Sequence, residues 1–377
     1  MHYIPYGRQD INEDDINAVV EVLKSDFLTT GPKVAEFEQK FAEYVGAKYA
    51  VAVSNGTAAL HIACLSAGIK EGDVVITSPN TFAASANCAL YCGATPVFVV
   101  IDPVTYNIDC KSIEQLITDK TKAIIPVHYT GQPCDMDEIH RIADKYNLLV
   151  IEDAAHAVGA EYKGKKIGGL SDMTEFSFHP VKHITCGEGG IVTTNDEKLY
   201  EKLKLYRTHG ITRNPDEMSQ YDGAWYYEQI GLGYNYRITD FQSALGMSQL
   251  KRIETFLKRR REIADKYNQA FQNMDGITIP KQLKDTNSAW HLYVIQVDKS
   301  IRRQMFDFLR ENNIGVNVHY IPVYTFPYYR EHGYRDVKCE HAEALYESII
   351  SLPMYYGLKD EEQDYVIDKV KEFLSRS

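Results

Sequence analysis

Apolar and polar positions divide the chain into two rhythms. Residues 1–9 read as an extended arm with Pro5, Tyr6 and Gly7. Asn12 with Asp15 has the form of a capped helix start, and Ile16, Val19, Val20 and Leu23 supply an apolar helical face. Gly31-Pro32 breaks that pattern, and Val34, Phe37, Phe41, Tyr44 and Val45 mark a second amphipathic helix that ends at Gly46. Short apolar runs then alternate with helical stretches. Strands are expected at 49–53, 74–77, 96–101, 123–128 and 148–152, and helices at 58–67, 83–91, 112–117 and 136–146. This βαβ rhythm predicts an α/β fold, a mostly parallel central sheet covered by helices on both faces. Such sheets bind ligands beyond the carboxyl ends of their strands.

The rhythm reaches its focus at residues 173–195, MTEFSFHPVKHITCGEGGIVTTN. Thr174, Phe176 and Phe178 alternate with more polar neighbours, as on a part-buried strand, until Pro180 stops it. Lys182 follows in a turn, with Gly187, Gly189 and Gly190 close behind, and a second strand is expected at 190–194. An amine held there could form a Schiff base, although most lysines are simply solvated. After a helix at 196–207 and an irregular stretch at 211–238, Thr239 with Gln242 reads as a capping box. It opens a helix expected to run to about Met274, some 35 residues or about 50 Å. The last hundred residues mix strands at 290–297 and 315–320 with helices at 302–312, 341–349 and 360–374. The expected organisation is a large α/β domain over 1–240, a connecting helix over 241–274 and a small α+β domain over 275–377.

Composition narrows the chemistry. A net charge of −11 argues against nucleic acid as the main partner. Seven cysteines, an odd number, do not form a disulfide framework, and no run of about 18 apolar residues suggests a membrane span. A cytoplasmic protein with reduced thiols is expected. There is no GxxxxGK[ST], no GxGxxG after the first strand, no HExxH and no GxSxG. His179 and His183 are four apart, but Pro180 spoils a zinc-binding helix, so no metal is expected.

Three features fall at expected strand ends. Ser54-Asn55-Gly56-Thr57 turns into a helix and could hold an anion, or be a plain Ser/Asn cap. Asp153, in Glu152-Asp153-Ala154-Ala155-His156, needs a cation, either a protonated ring nitrogen or a structural arginine. Ser177 with Lys182 is the third. An anion cradle, an acid and an amine are together what pyridoxal phosphate needs.

The order SNGTAAL, IEDAAHA, SFHPVKHITCGEGG resembles the DegT/DnrJ/EryC1/StrS family of sugar aminotransferases, of the fold-type-I group. The likeness spans nearly the whole chain and includes LTTGPKVAEFE, PNTF, LGYNYRITDFQSALGMSQL and VHYIPVY. YIPYGRQDI, HPVKHIT and HYIPVYTFPYY resemble the pseudaminic acid branch, which aminates carbon 4 of a UDP-4-keto-6-deoxy-N-acetylhexosamine of L-altro kind. The resemblance implies that Lys182 is the Schiff-base lysine, Asp153 the partner of the pyridinium nitrogen, and Phe82 the ring-stacking aromatic. It implies a cofactor contact for His156, which could instead only pack. Gly56, Thr57, Ala58 and Ser177 would hold the phosphate, and Asn235 would reach it from the partner subunit of a homodimer. Arg237 would read the donor carboxylate or be structural. Sugar-nucleotide contacts map to Tyr6, to Asp26, Phe27, Leu28 and Thr29, and to Asn317, Val318, His319 and Tyr320. L-glutamate is the expected donor. Family dehydratases carry histidine in place of the lysine, so the lysine at position 182 implies transamination. The D-gluco keto sugar, a sugar dehydratase and a non-catalytic regulatory role are the alternatives.

Overall fold

The computed structural model describes residues 2–376. Seven strands form the central sheet: β1 (Tyr49–Val53), β2 (Val74–Thr77), β3 (Thr95–Phe98), β4 (Thr121–Ile125), β5 (Leu149–Asp153), β6 (Met173–Ser177) and β7 (Gly190–Thr194). Their order is β1-β7-β6-β5-β4-β2-β3. Neighbours pair in parallel except β7, which runs antiparallel to both β1 and β6. The expected mostly parallel sheet is therefore present, and β7 makes it mixed.

Both faces of the sheet are dry, because successive strand residues feed opposite cores. Ala50, Ala52, Ile76, Ile124, Val150 and Phe176 join one cluster with helices Pro32–Val45 and Met136–Tyr146. Val51, Val53, Val75, Ala123, Ile125 and Ile151 join the other with helix Gly56–Ser66. The strands thus have no solvated face, and all but β7 point their carboxyl ends at one rim.

The long helix expected from Thr239 is two helices, Asp240–Leu250 and Ile253–Phe271. The Thr239–Gln242 capping box opens the first as expected. At the break, Arg252 has ψ near 1°, and its guanidinium binds Asp10 Oδ1 at 2.7 Å and buried Asp15 Oδ2 at 2.5 Å. These ion pairs join the break to the N-terminal segment. The second helix bridges two cores: Ile253, Phe256 and Leu257 lie in the sheet cluster, Ile263, Tyr267 and Phe271 in a C-terminal one.

That C-terminal cluster covers a two-stranded antiparallel pair, β8 (Tyr293–Gln296) with β9 (Ile349–Leu352). The strand expected at 315–320 makes only the isolated bridge Asn317↔Ser351. Its start is engaged instead by the N-terminal arm, of which Met1 lies outside the described residues. Ile4 N–H donates to the Asn313 carbonyl at 2.9 Å, and Gly315 N–H to the Ile4 carbonyl at 2.6 Å. A Cβ at Gly315 would lie 2.9 Å from the Ile4 carbonyl oxygen, so glycine permits this crossing. Met354 N–H donates to the Tyr6 carbonyl at 2.9 Å, which pins Tyr6 at the rim.

Candidate active site

A cavity of about 970 Å³ opens at the carboxyl ends of the strands. β5 ends in Asp153, a buried side chain. Its Oδ2 accepts from the Ser85 hydroxyl at 2.5 Å and its Oδ1 from Ala155 N–H at 3.2 Å. No arginine pairs with Asp153 among the described residues, so the structural-pair reading lapses.

Lys182 follows β6 in a turn closed by its own N–H donating to the His179 carbonyl at 2.9 Å. It keeps some surface open to the cavity while protein surrounds it densely. That burial pushes its amine down to about 8, against the opposing pull of Asp153 and Glu175.

The turn from β1 into helix Gly56–Ser66 brings Gly56, Thr57 and Ala58 to the same cavity as Ser177. Asn55 caps this helix through Ala58 N–H at 2.8 Å. The cap and the cradle coexist, because a helix start has more free N–H groups than one side chain satisfies. At Gly56 a Cβ would meet Glu175 Oε1 at 2.5 Å and Ser177 Cβ at 3.0 Å. Glycine fits there without displacing either side chain.

Phe82 lines the cavity and is 64 % exposed, which removes the core-phenylalanine reading. His156 is buried on the opposite count, yet it does more than pack. Its Nε2 lies 3.0 Å from the Tyr320 hydroxyl and its ring 4.3 Å from that of His291. Burial first, then Lys182, His319 and His183, hold its imidazole well below the usual range. It is a neutral ring. Tyr6, Asn317, Val318, His319 and Tyr320 form the wall, with His319 Nδ1 2.8 Å from the Ser351 hydroxyl and the Tyr6 ring 5.5 Å from that of His319.

Not every expected residue converges. Asp26, Phe27, Leu28 and Thr29 are exposed and do not line the cavity. Leu28 and Thr29 are tied by backbone to Asp240 and Thr239. Asn235 is exposed and bridged to Thr208, and Arg237 is bridged to Val53. Conversely, Ser85, Tyr91, Glu175, Glu188, Tyr236 and His291 line the cavity without having been expected. Glu175 was visible in principle, since it shares the period-2 face of Ser177. Ser85 and His291 were not, because helix rotation and a distant loop bring them in.

The residues fit pyridoxal phosphate: a glycine-built helix start with adjacent hydroxyls, a buried acid, and a depressed amine surround one cavity. The profile of the DegT/DnrJ/EryC1/StrS aminotransferase family matches residues 9–371. The chain is 45 % identical to the spore coat polysaccharide biosynthesis protein SpsC of Bacillus subtilis, covering 99 % of this chain and 97 % of that one. It is 39 % identical to the UDP-4-amino-4,6-dideoxy-N-acetyl-beta-L-altrosamine transaminase of Campylobacter jejuni, over 99 % of this chain and 98 % of that one. Among solved structures, Helicobacter pylori PseC, an aminotransferase involved in pseudoaminic acid biosynthesis, superposes with a TM-score of 0.93 at 32 % identity over the full length of both chains. The sugar aminotransferase Spr1654 of Streptococcus pneumoniae, in its PLP form, does so with 0.93 at 32 % identity over 100 % of this chain and 99 % of that one. The chain belongs to the DegT/DnrJ/EryC1/StrS aminotransferase family and is a pyridoxal-phosphate-dependent sugar aminotransferase.

Proposed function

We propose that the enzyme transfers an amino group from L-glutamate to carbon 4 of a UDP-4-keto-6-deoxy-N-acetylhexosamine of L-altro kind, a step of pseudaminic acid biosynthesis. The observation that carries the chemistry is the Lys182 amine, held at about 8 in the cavity with Asp153 and the Gly56 helix start. The identity to the Campylobacter transaminase and the superposition on PseC support the sugar.

In this reading the N–H groups at Gly56, Thr57 and Ala58, with the Ser177 hydroxyl, bind the cofactor phosphate. Asp153, oriented by Ser85, holds the proton on the ring nitrogen. Pyridoxal phosphate, when bound, supplies a sink for the electrons left at the reacting carbon. Phe82 would stack on the bound ring, and His156, oriented by Tyr320, would contact it from within the cavity. The Lys182 amine would also carry the proton between the reacting carbons, which its depressed basicity suits near neutral pH. Tyr6 and the Asn317–Tyr320 wall receive the nucleotide sugar.

Asn235, Arg237 and the 26–29 segment lie outside the cavity of one chain, and this supports a homodimer in which a second copy completes each site. Tyr221, Trp225, Tyr227, Ile230 and Leu232, in the segment that precedes Asn235 in the chain, are exposed apolar side chains suited to such a partner. Seven free cysteines accord with a cytoplasmic location, and no helix among the described residues is long and apolar enough to cross a membrane.

The higher identity to SpsC favours a second reading, the same chemistry on another keto sugar such as the D-gluco epimer. Incubation with glutamate and each carbon-5 epimer in turn, read by product mass and proton NMR, tests the assignment. Amination of the L-altro-related epimer alone is expected. Amination of the other epimer alone overturns the sugar and leaves the chemistry.

A further inference from the structure

β6 carries two polar groups on the face that meets the cavity, Ser177 and Glu175. Glu175 is also the register partner of Asp153 on β5. It is 1 % exposed, and neither of its carboxyl oxygens has a hydrogen-bond partner in this structure. Its Oε1 lies where a side chain at Gly56 would begin, under the first turn of the helix that cradles the phosphate. Two carboxyls on one floor, beside a phosphate, cannot both ionise without a matching pair of cations. Lys182 is the cation that acts on both.

We propose that Glu175 stays a neutral acid beside its register partner Asp153, so that the floor of the cavity carries one negative charge rather than two. The single charge matches the single cation of a protonated ring nitrogen. A neutral Glu175 also adds no second anion next to the Gly56 helix start, where its Oε1 lies.

The surroundings favour the neutral form. Burial is the largest cause that pushes the Glu175 carboxyl up, followed by the charge of Asp153; Lys182 opposes this and the Cys88 thiol of helix Ala84–Tyr91 adds to it. β7 faces it with Val192, its register partner, and the Gly56 helix start adds peptide N–H groups and no side-chain charge.

The test uses the holoenzyme. Infrared spectra at neutral pH, with and without carboxyl-labelled glutamate incorporated into the protein, should show a protonated-carboxyl C=O stretch that shifts with the label and is missing in Glu175→Gln. Cofactor release on dialysis should rise with pH in the wild type, by up to about tenfold per pH unit once Glu175 ionises, beyond any rise in Glu175→Gln. The comparison between the two proteins removes the contribution of Lys182. Absence of a label-sensitive acid band in the wild type overturns the proposal, and so does an identical pH dependence in both proteins. The wild-type spectrum decides by itself if the variant does not fold.

Discussion

The Tyr320 hydroxyl lies 3.0 Å from His156 Nε2, although 164 residues separate them. The contact ties the loop after β5 to the C-terminal wall of the cavity. His156 is a neutral ring, so one of its nitrogens is free to accept from the phenol. Tyr320→Phe therefore removes one hydrogen bond and little packing. A loss of about 1 kcal/mol, or about fivefold in kcat/KM, is expected. His156→Ala should lose more, since it also opens space beside the His291 ring. Steady-state kinetics of both variants checks this; an unchanged Tyr320→Phe enzyme contradicts a role for the pair.

Lys182 sets the pH dependence of cofactor loading. Its amine is held at about 8, below the ordinary value of 10.5, so the neutral nucleophile is present for about one molecule in ten at pH 7. An ordinary lysine would offer about one in a few thousand. The rate at which apoprotein gains the visible absorption of lysine-bound cofactor should rise with pH and level off above about 8. Asp153 raises this amine's basicity, so Asp153→Asn should move the midpoint downward. A midpoint near 10 in the wild type would refute the assignment.

A side chain at Gly56 would crowd Glu175 and Ser177. In Gly56→Ala the new methyl meets Glu175 Oε1 at 2.5 Å and Ser177 Cβ at 3.0 Å. Overpacking of this kind costs about 1–3 kcal/mol. The variant should fold, with weaker cofactor affinity, by about tenfold or more, measured by equilibrium dialysis. Wild-type affinity would show that the helix start is not the phosphate cradle.

The exposed surface around Trp225 and Leu232 should be where a second copy docks. Trp225 is 71 % and Leu232 74 % exposed. Trp225→Glu with Leu232→Glu should shift sedimentation towards monomer and lower activity together. A fully active monomer would exclude a site completed by the partner.

Much of this was legible in the chain because the relevant signals are local. Capping boxes at Asn12 and Thr239, the strand Gly190–Thr194 and the turn before Lys182 all lie where periodicity and cap chemistry put them. The convergence of Gly56, Asp153 and Lys182 followed from strand ends sharing one rim. What escaped depends on distant partners. Lys251–Arg252 contains no glycine or proline, and the break there comes with ion pairs to Asp10 and Asp15. Ile349 read as a helix end and residues 350–352 gave no strand signal, but pairing with Tyr293–Gln296 makes Ile349–Leu352 a strand. Ser85 reaches Asp153 across 68 positions, which no window of sequence displays.

The most direct test of the central claim follows the nitrogen. Wild type and Lys182→Ala are incubated with nitrogen-15 glutamate and the UDP-4-keto-6-deoxy sugar of L-altro kind, and the products are resolved by mass and NMR. The account predicts nitrogen-15 at carbon 4 of the sugar with wild type, and a loss of at least about a hundredfold with Lys182→Ala. A deoxygenated sugar without label, or equal labelling by both proteins, would contradict it.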